Sequence, residues 1–171
     1  MNRTIEKIIL VDKKDSEIGF EEKMKVHKNG QLHRAFSIFV FNSKSQLMLQ
    51  KRANNKYHSG GLWTNTCCSH PRLKEKTETA THRRLKEEMG FDCELKEVFS
   101  FIYKVKLDDL TEYEYDHVFI GNYDEKPNPN PVEVEDWQWI SMAELNKDLS
   151  KNPSKYTHWF KIAIKKLTRW L

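Results

Sequence analysis

The 171-residue sequence is poor in the residues that staple or loosen a chain, with three cysteines, five prolines and six glycines. Three cysteines, two of them the adjacent Cys67 and Cys68, exclude a disulfide framework and point to a reducing compartment. Little proline and glycine, with no internal repeat or low-complexity tract, excludes collagen-like and wholly disordered chains. No stretch approaches the roughly 18 consecutive apolar residues of a membrane span, and Met1 to Leu10 lacks the basic region and apolar run of a signal peptide. These absences predict a soluble, cytoplasmic protein. Charge of one sign is also lacking, since 29 Lys+Arg stand against 25 Asp+Glu. The net +4 is spread along the chain, giving no arm for nucleic acid and only a mild preference for small anionic ligands. The length argues for one domain, residues 1–171, able to bury roughly 70% of its unfolded surface.

Hydrophobic patterning predicts strands over Ile5–Val11, Ala35–Phe41 and Gln46–Lys51, the last two forming a hairpin around Asn42-Ser-Lys-Ser45. Thr77–Met89 reads as a helix with Thr77 as N-cap, Glu78 at its positive end and Gly90 at C′. Val98–Leu107 and Glu112–Ile120 read as strands around Asp108-Asp-Leu110, and Val132–Ile140 follows the loop from Pro127 to Pro131. In the tail, Tyr156, Phe160, Ala163, Leu167 and Trp170 recur at spacings of four and three, one apolar stripe of a helix that packs on the sheet. The fold class expected is α+β, with helices covering a mixed sheet.

Three stretches carry chemistry. Thr64-Asn-Thr-Cys-Cys-Ser-His-Pro71 sets a thiol and an imidazole two residues apart ahead of the helix, a pair that by itself reads as buried packing more readily than as chemistry. On a strand, Glu112-Tyr-Glu114-Tyr-Asp116 places Glu112, Glu114 and Asp116 on one face and Tyr113, Tyr115 and His117 on the other. Three carboxylates in a row repel, so that face is either solvated or, if buried, relieved by a metal ion or a retained proton. With His27, His33 and His70 they offer donors suited to Zn2+ or Mn2+. His58, His82, His117 and His158 read as surface or packing residues. In the helix, Glu75, Arg83, Leu85, Glu87, Glu88, Gly90 and Phe91 fall at the spacings of the Nudix box, whose glutamates hold Mg2+ on a diphosphate. Ser69 stands where the box has Gly, and Arg84 where it has Glu. Arg84 and Glu88 share a helix face at i and i+4, an arrangement that suits gripping a diphosphate better than hydrolysing it.

Taken together, these stretches resemble the type I isopentenyl-diphosphate isomerases, a divergent branch of the Nudix fold. The likeness runs from about Glu21 to the C-terminal helix and includes His33-Arg-Ala-Phe36, Lys51-Arg-Ala53 and Gly61-Leu-Trp-Thr-Asn65. It implies a Nudix-like α/β/α sandwich and metal-dependent interconversion of isopentenyl and dimethylallyl diphosphate, with no redox cofactor. By the same resemblance, Cys68 and Glu114 transfer the protons, Tyr103 assists the glutamate, and the family's Cys-x-His-Pro spacing selects Cys68 over Cys67. His27, His33, His70, Glu112 and Glu114 would hold Zn2+, Mn2+ or Mg2+. A second ion, Mg2+, would bridge the diphosphate to Glu88 and the backbone carbonyl of Cys68. Lys23, Arg52, Lys56 and Arg84 match the diphosphate-binding cations, and Trp159 is the candidate aromatic face for a carbocation. The implied partner is a small isoprenoid diphosphate, neither nucleic acid nor membrane, and the chain a monomer or weak homodimer. His58-Ser-Gly-Gly61 stands where many relatives have a Pro-Gly pair and implies an altered loop with its chemistry intact. A Nudix hydrolase of a nucleoside diphosphate derivative is the alternative, but it leaves Cys68 without a task. A metal-binding module without activity would make Cys68, Glu114 and Tyr103 incidental.

Overall fold

β3 (His33–Phe41) organises the sheet because its apolar side chains serve both faces. Phe36, Ile38 and Val40 point to one side and Phe39 and Phe41 to the other, the two-residue period of an extended strand. The computed structural model describes residues 6–170. Before β3 come β1 (Lys7–Val11), the polar strand β2 (Glu17–Glu22) and a short helix, α1 (Lys23–Asn29). After it come β4 (Gln46–Arg52), the brief strands β5 (Trp63–Thr64) and β6 (Cys67–Ser69), and α2 (Thr77–Met89). The long hairpin β7 (Leu95–Leu107) and β8 (Leu110–Asn122) leads to β9 (Val134–Ser141), α3 (Met142–Lys151) and α4 (His158–Leu167).

β3 lies parallel to β8 from His33↔Glu114 to Phe41↔Asn122. It also pairs antiparallel with β6, with β1 at Leu10↔His33 and with β4 at Phe41↔Leu47. β7 extends the sheet beyond β8, and β9 extends it beyond β4. On one face Ala80, Leu85 and Met89 of α2 pack against Phe36, Ile38, Val40 and Met48. On the other, Phe160, Ala163, Ile164 and Leu167 of α4 and Leu145 of α3 pack against Phe39, Leu47, Leu49 and Val118. Burying each such large apolar side chain stabilises the fold by about 1.5–3 kcal/mol. The result is the expected α/β/α sandwich on a mixed sheet.

Several boundaries differ from the sequence reading. The first strand begins at Lys7, and Ile5 lies outside the described residues. Lys76, in extended conformation, is the N-cap of α2, so Thr77 is its first helical residue and caps nothing. Gly90 closes that helix at φ 75°, where an added Cβ would collide with the carbonyl of Asn128. The tail helix starts at His158. Tyr156 precedes it, and Trp170 lies past its end, 61% exposed and stacked on Phe99.

Candidate active site

Strand register assembles the site. Parallel pairing sets His33 beside Glu114, and the β7–β8 hairpin sets Tyr103 across from the same glutamate. On the other flank of β3, Ser37 pairs with Cys68. Alternation along β6 then separates the two adjacent cysteines: Cys67 is fully buried against α2, whereas Cys68 faces a cavity on the opposite side. That cleft spans about 500 Å3, counting the space where it opens to solvent. Ten of the thirteen predicted site residues line it: Lys23, Arg52, Lys56, Cys68 and His70, with Arg84, Glu88, Glu112, Glu114 and Trp159. His27 and His33 are buried, and Tyr103 stands behind Glu114.

Glu112, Glu114 and Asp116 are all buried, which rules out the solvated reading of that face. Their repulsion is relieved locally. Burial and the Glu114 charge push Asp116 well above the usual carboxylate range, and its Oδ2 accepts a 2.8 Å bond from Ser37. Burial alone would raise Glu112, but His27 and His58 hold it well below that range. For Glu114, burial and Glu112 raise the carboxyl while His33 and His70 outweigh them and lower it. Tyr103 donates a 2.6 Å bond to Glu114 Oε2, and burial with the adjacent carboxylate keeps the phenol protonated.

Donor atoms of His27, His33, His70, Glu112 and Glu114 lie within 4.8 Å of one another. His27 Nδ1 and His33 Nδ1 face the carbonyls of Lys23 and Gln31 at 2.6 and 2.9 Å, so each Nδ1–H donates and each Nε2 turns a lone pair inward. His27 Nε2 and Glu112 Oε2 stand 3.2 Å apart, buried and without a hydrogen-bond partner. His33 Nε2 and His70 Nε2 are 3.2 Å apart, and His70 Nε2 is 3.0 Å from Glu114 Oε1. Burial lowers His70 to about 4, leaving a neutral imidazole. Two orphaned atoms and three convergent imidazoles beside two carboxylates fit a divalent transition ion.

At the rim, three of the four cations pair with carboxylates, two of which, Glu133 and Glu6, sequence reasoning did not include. Glu133 accepts from Lys56 and lies 3.5 Å from Arg84. Arg84 also bonds Glu87 at 2.7 Å and closely pairs with Glu88, whose second oxygen accepts from Gln50 at 2.9 Å. Lys23 pairs with Glu6 at 3.2 Å, and the Arg52 guanidinium lies 5.2 Å over the Trp159 ring. His58 is a correction to the sequence reading. Its ring is 8% exposed, with Nε2 2.5 Å from Glu112 Oε1, inside the site and not on the surface. The signal for it was the unusual His58-Ser-Gly-Gly61 loop. His117 and His82 conform to packing roles, bonded to Asp15 and Glu97 and to Asp92 respectively.

A NUDIX domain model matches residues 31–160, which makes the chain a NUDIX-domain protein. Solved structures agree on the fold: a Deinococcus radiodurans protein superposes with TM-score 0.72 at 18% identity, covering 86% of this chain and 90% of that one. The MutT protein of Methanosarcina mazei superposes with TM-score 0.66 at 17% identity, covering 81% and 94%. Much closer in sequence is isopentenyl-diphosphate Delta-isomerase 2 of Aromatoleum aromaticum, 56% identical over 90% of this chain and 82% of that protein. The enzyme of the same name from Photorhabdus laumondii is also 56% identical, over 94% and 92%. The chain belongs to the isopentenyl-diphosphate Delta-isomerase family.

Proposed function

We infer that this chain interconverts isopentenyl diphosphate and dimethylallyl diphosphate. The observation that carries the reading is the convergence of Cys68 from β6 and Glu114 from β8 on one cavity, beneath a helix that presents Arg84 in place of a Nudix glutamate. An unactivated alkene is a poor base. Its protonation at the terminal methylene forms a tertiary carbocation, which loses a proton from the carbon next to the oxygen-bearing methylene to place the double bond internally. The reaction therefore needs one group with a proton, one without, and little water. Burial holds the Cys68 thiol up at about 12, while Glu114 is a carboxylate with Tyr103 on its Oε2. In this resting state Cys68 is the donor and Glu114 the acceptor, and the reverse direction exchanges the roles.

The remaining residues bind and exclude water. Lys23, Arg52, Lys56 and Arg84 take the diphosphate, exchanging Glu133, Glu6 and the helix glutamates for phosphate oxygens. Trp159, buried beside the cavity, offers its ring face to the cation, worth about 0.5–2 kcal/mol. His27, His33, His70, Glu112 and Glu114 would hold Zn2+ or Mn2+, and Glu88 with the Cys68 carbonyl would hold Mg2+ on the diphosphate. Such ions supply fixed positive charge that keeps Glu114 ionised and neutralises the substrate. The three thiols suit a reducing cytoplasm. Among the described residues no helix is long and apolar enough to cross a membrane. Incubating the purified chain with isopentenyl diphosphate and Mg2+ and quantifying dimethylallyl diphosphate tests the reading. Absence of conversion by metal-replete protein would overturn it.

A further inference from the structure

The segment from Asn54 to Gly61 turns inward at a cost that its sequence meets. Ser59 has φ 50° and Gly61 φ 74°, both in the left-handed region. At Gly60 an added Cβ would lie 2.5 Å from the carbonyl oxygen of Asn54, so the close approach of these two backbones requires glycine there. The carbonyl of His58 accepts from Arg52 Nη2 at 3.3 Å, which ties the loop to β4. With its backbone so fixed, the His58 ring stands edge-on to Trp159, centroids 5.7 Å apart, and edge-on to Tyr57 at 4.4 Å. Its Nδ1 is 3.2 Å from Ser59 Oγ, and its Nε2 approaches Glu112 Oε1 at 2.5 Å.

The two oxygens of Glu112 therefore face different imidazoles. Oε1 lies 2.5 Å from His58 Nε2, which stands outside the donor set gathered within 4.8 Å, whereas Oε2 faces His27 Nε2, a member of that set, at 3.2 Å; His58 Nε2, His27 Nε2 and Glu112 Oε2 all lack a hydrogen-bond partner. A carboxylate whose outer oxygen lies against a buried imidazole is restrained in rotation, with its inner oxygen left for an ion. We propose that His58 is a positioning residue for the metal ligand Glu112, delivered into the site by the glycine pair Gly60-Gly61. The loop thus adds a sixth side chain to the His/Glu set, one that holds a ligand's orientation and touches neither substrate nor the reacting atoms. The inference rests on reading that set as a metal site.

The test is titration of the metal-stripped full chain with Co2+, following the visible absorption of the bound ion and the rise in melting temperature on loading. His58→Ala should weaken Co2+ affinity by about 10- to 100-fold and alter the absorption bands, while the melting temperature of the metal-free protein stays near wild type. His58→Gln, which retains a donor of similar reach, should stay within about threefold of wild type. Gly60→Ala should reproduce the loss by forcing the loop off Asn54. Should His58→Ala fail to fold, His58→Asn, polar but too short to reach Glu112, replaces it with the same expected loss. Wild-type affinity and spectrum in these loss variants would overturn the role of His58 alone. A wild-type chain that binds no Co2+ would overturn the metal-site reading and this inference together.

Discussion

Tyr103 and Glu114 face each other across β7 and β8, and the phenol donates a 2.6 Å hydrogen bond to the carboxylate from within the protein. Because burial and Glu114 itself keep Tyr103 protonated, the bond always runs in that direction and favours ionised Glu114. A hydrogen bond to a charged group contributes about 1.5–3 kcal/mol. Tyr103→Phe should accordingly lower kcat by about 10- to 100-fold with the fold unchanged, measured by steady-state kinetics and circular dichroism. Glu114→Gln should cost about 100- to 10,000-fold, the usual range for a lost acid or base.

Arg84 lies between Glu87, Glu88 and Glu133 and is ionised throughout the accessible pH range, its guanidinium held up by Glu88 against the cost of burial. Arg84→Met should raise KM for isopentenyl diphosphate by about 10- to 100-fold, because a charge-assisted contact to phosphate is lost, and should change kcat less. It should also destabilise the protein by about 3–5 kcal/mol, since Glu88 is left buried without its cation. Kinetics and thermal unfolding separate the two effects.

Trp159 carries the Arg52 guanidinium on its ring and edges His58, so it is both a wall and an aromatic face. Trp159→Leu should remove the face while keeping apolar bulk. The expected loss in kcat is about 2- to 30-fold, the equivalent of about 0.5–2 kcal/mol. A loss confined to KM would assign Trp159 to binding alone.

Burial raises all three thiols: Cys68 to about 12, Cys93 to about 11 and Cys67 well above its usual value. At pH 7.5 iodoacetamide should therefore label the native chain about 100-fold or more slowly than the urea-unfolded chain, read by mass spectrometry. Below pH about 9 native and unfolded thiols are both protonated, and their contribution to stability is intact. As pH rises towards 11 and 12 the unfolded chain releases protons that the native state keeps, so stability falls. Thermal unfolding should show this loss above pH 9, and Cys93→Ala should reduce it.

Much of the scaffold was legible because its apolar periods are long. The continuous apolar run of β3, the alternation of β4 and β8 and the punctuation of α2 by Glu78 and Gly90 can be read directly from the chain. α3 was missed although its capping box is written in Ser141-Met-Ala-Glu144, where the serine and glutamate satisfy each other's backbone donors. α1, β2, β5 and β6 carry too few residues for any period to register, and tertiary packing decides them. The predicted site residues were legible because the family motifs name them, and His58 left a signal in its unusual loop, whereas Glu133 and Gln50 could be found only once the fold brought them to Arg84 and Glu88.

The central claim is that protons move between the substrate's carbons and Cys68 and Glu114, with the diphosphate untouched. It is tested most directly by proton NMR of isopentenyl diphosphate with the Mg2+-supplemented protein in D2O. The account predicts dimethylallyl signals, deuterium in the methyl groups and no released phosphate or pyrophosphate, all abolished by Cys68→Ala. Unchanged isopentenyl diphosphate, or release of phosphate without deuterium entering carbon, would contradict it and favour a hydrolase acting on a nucleoside diphosphate derivative.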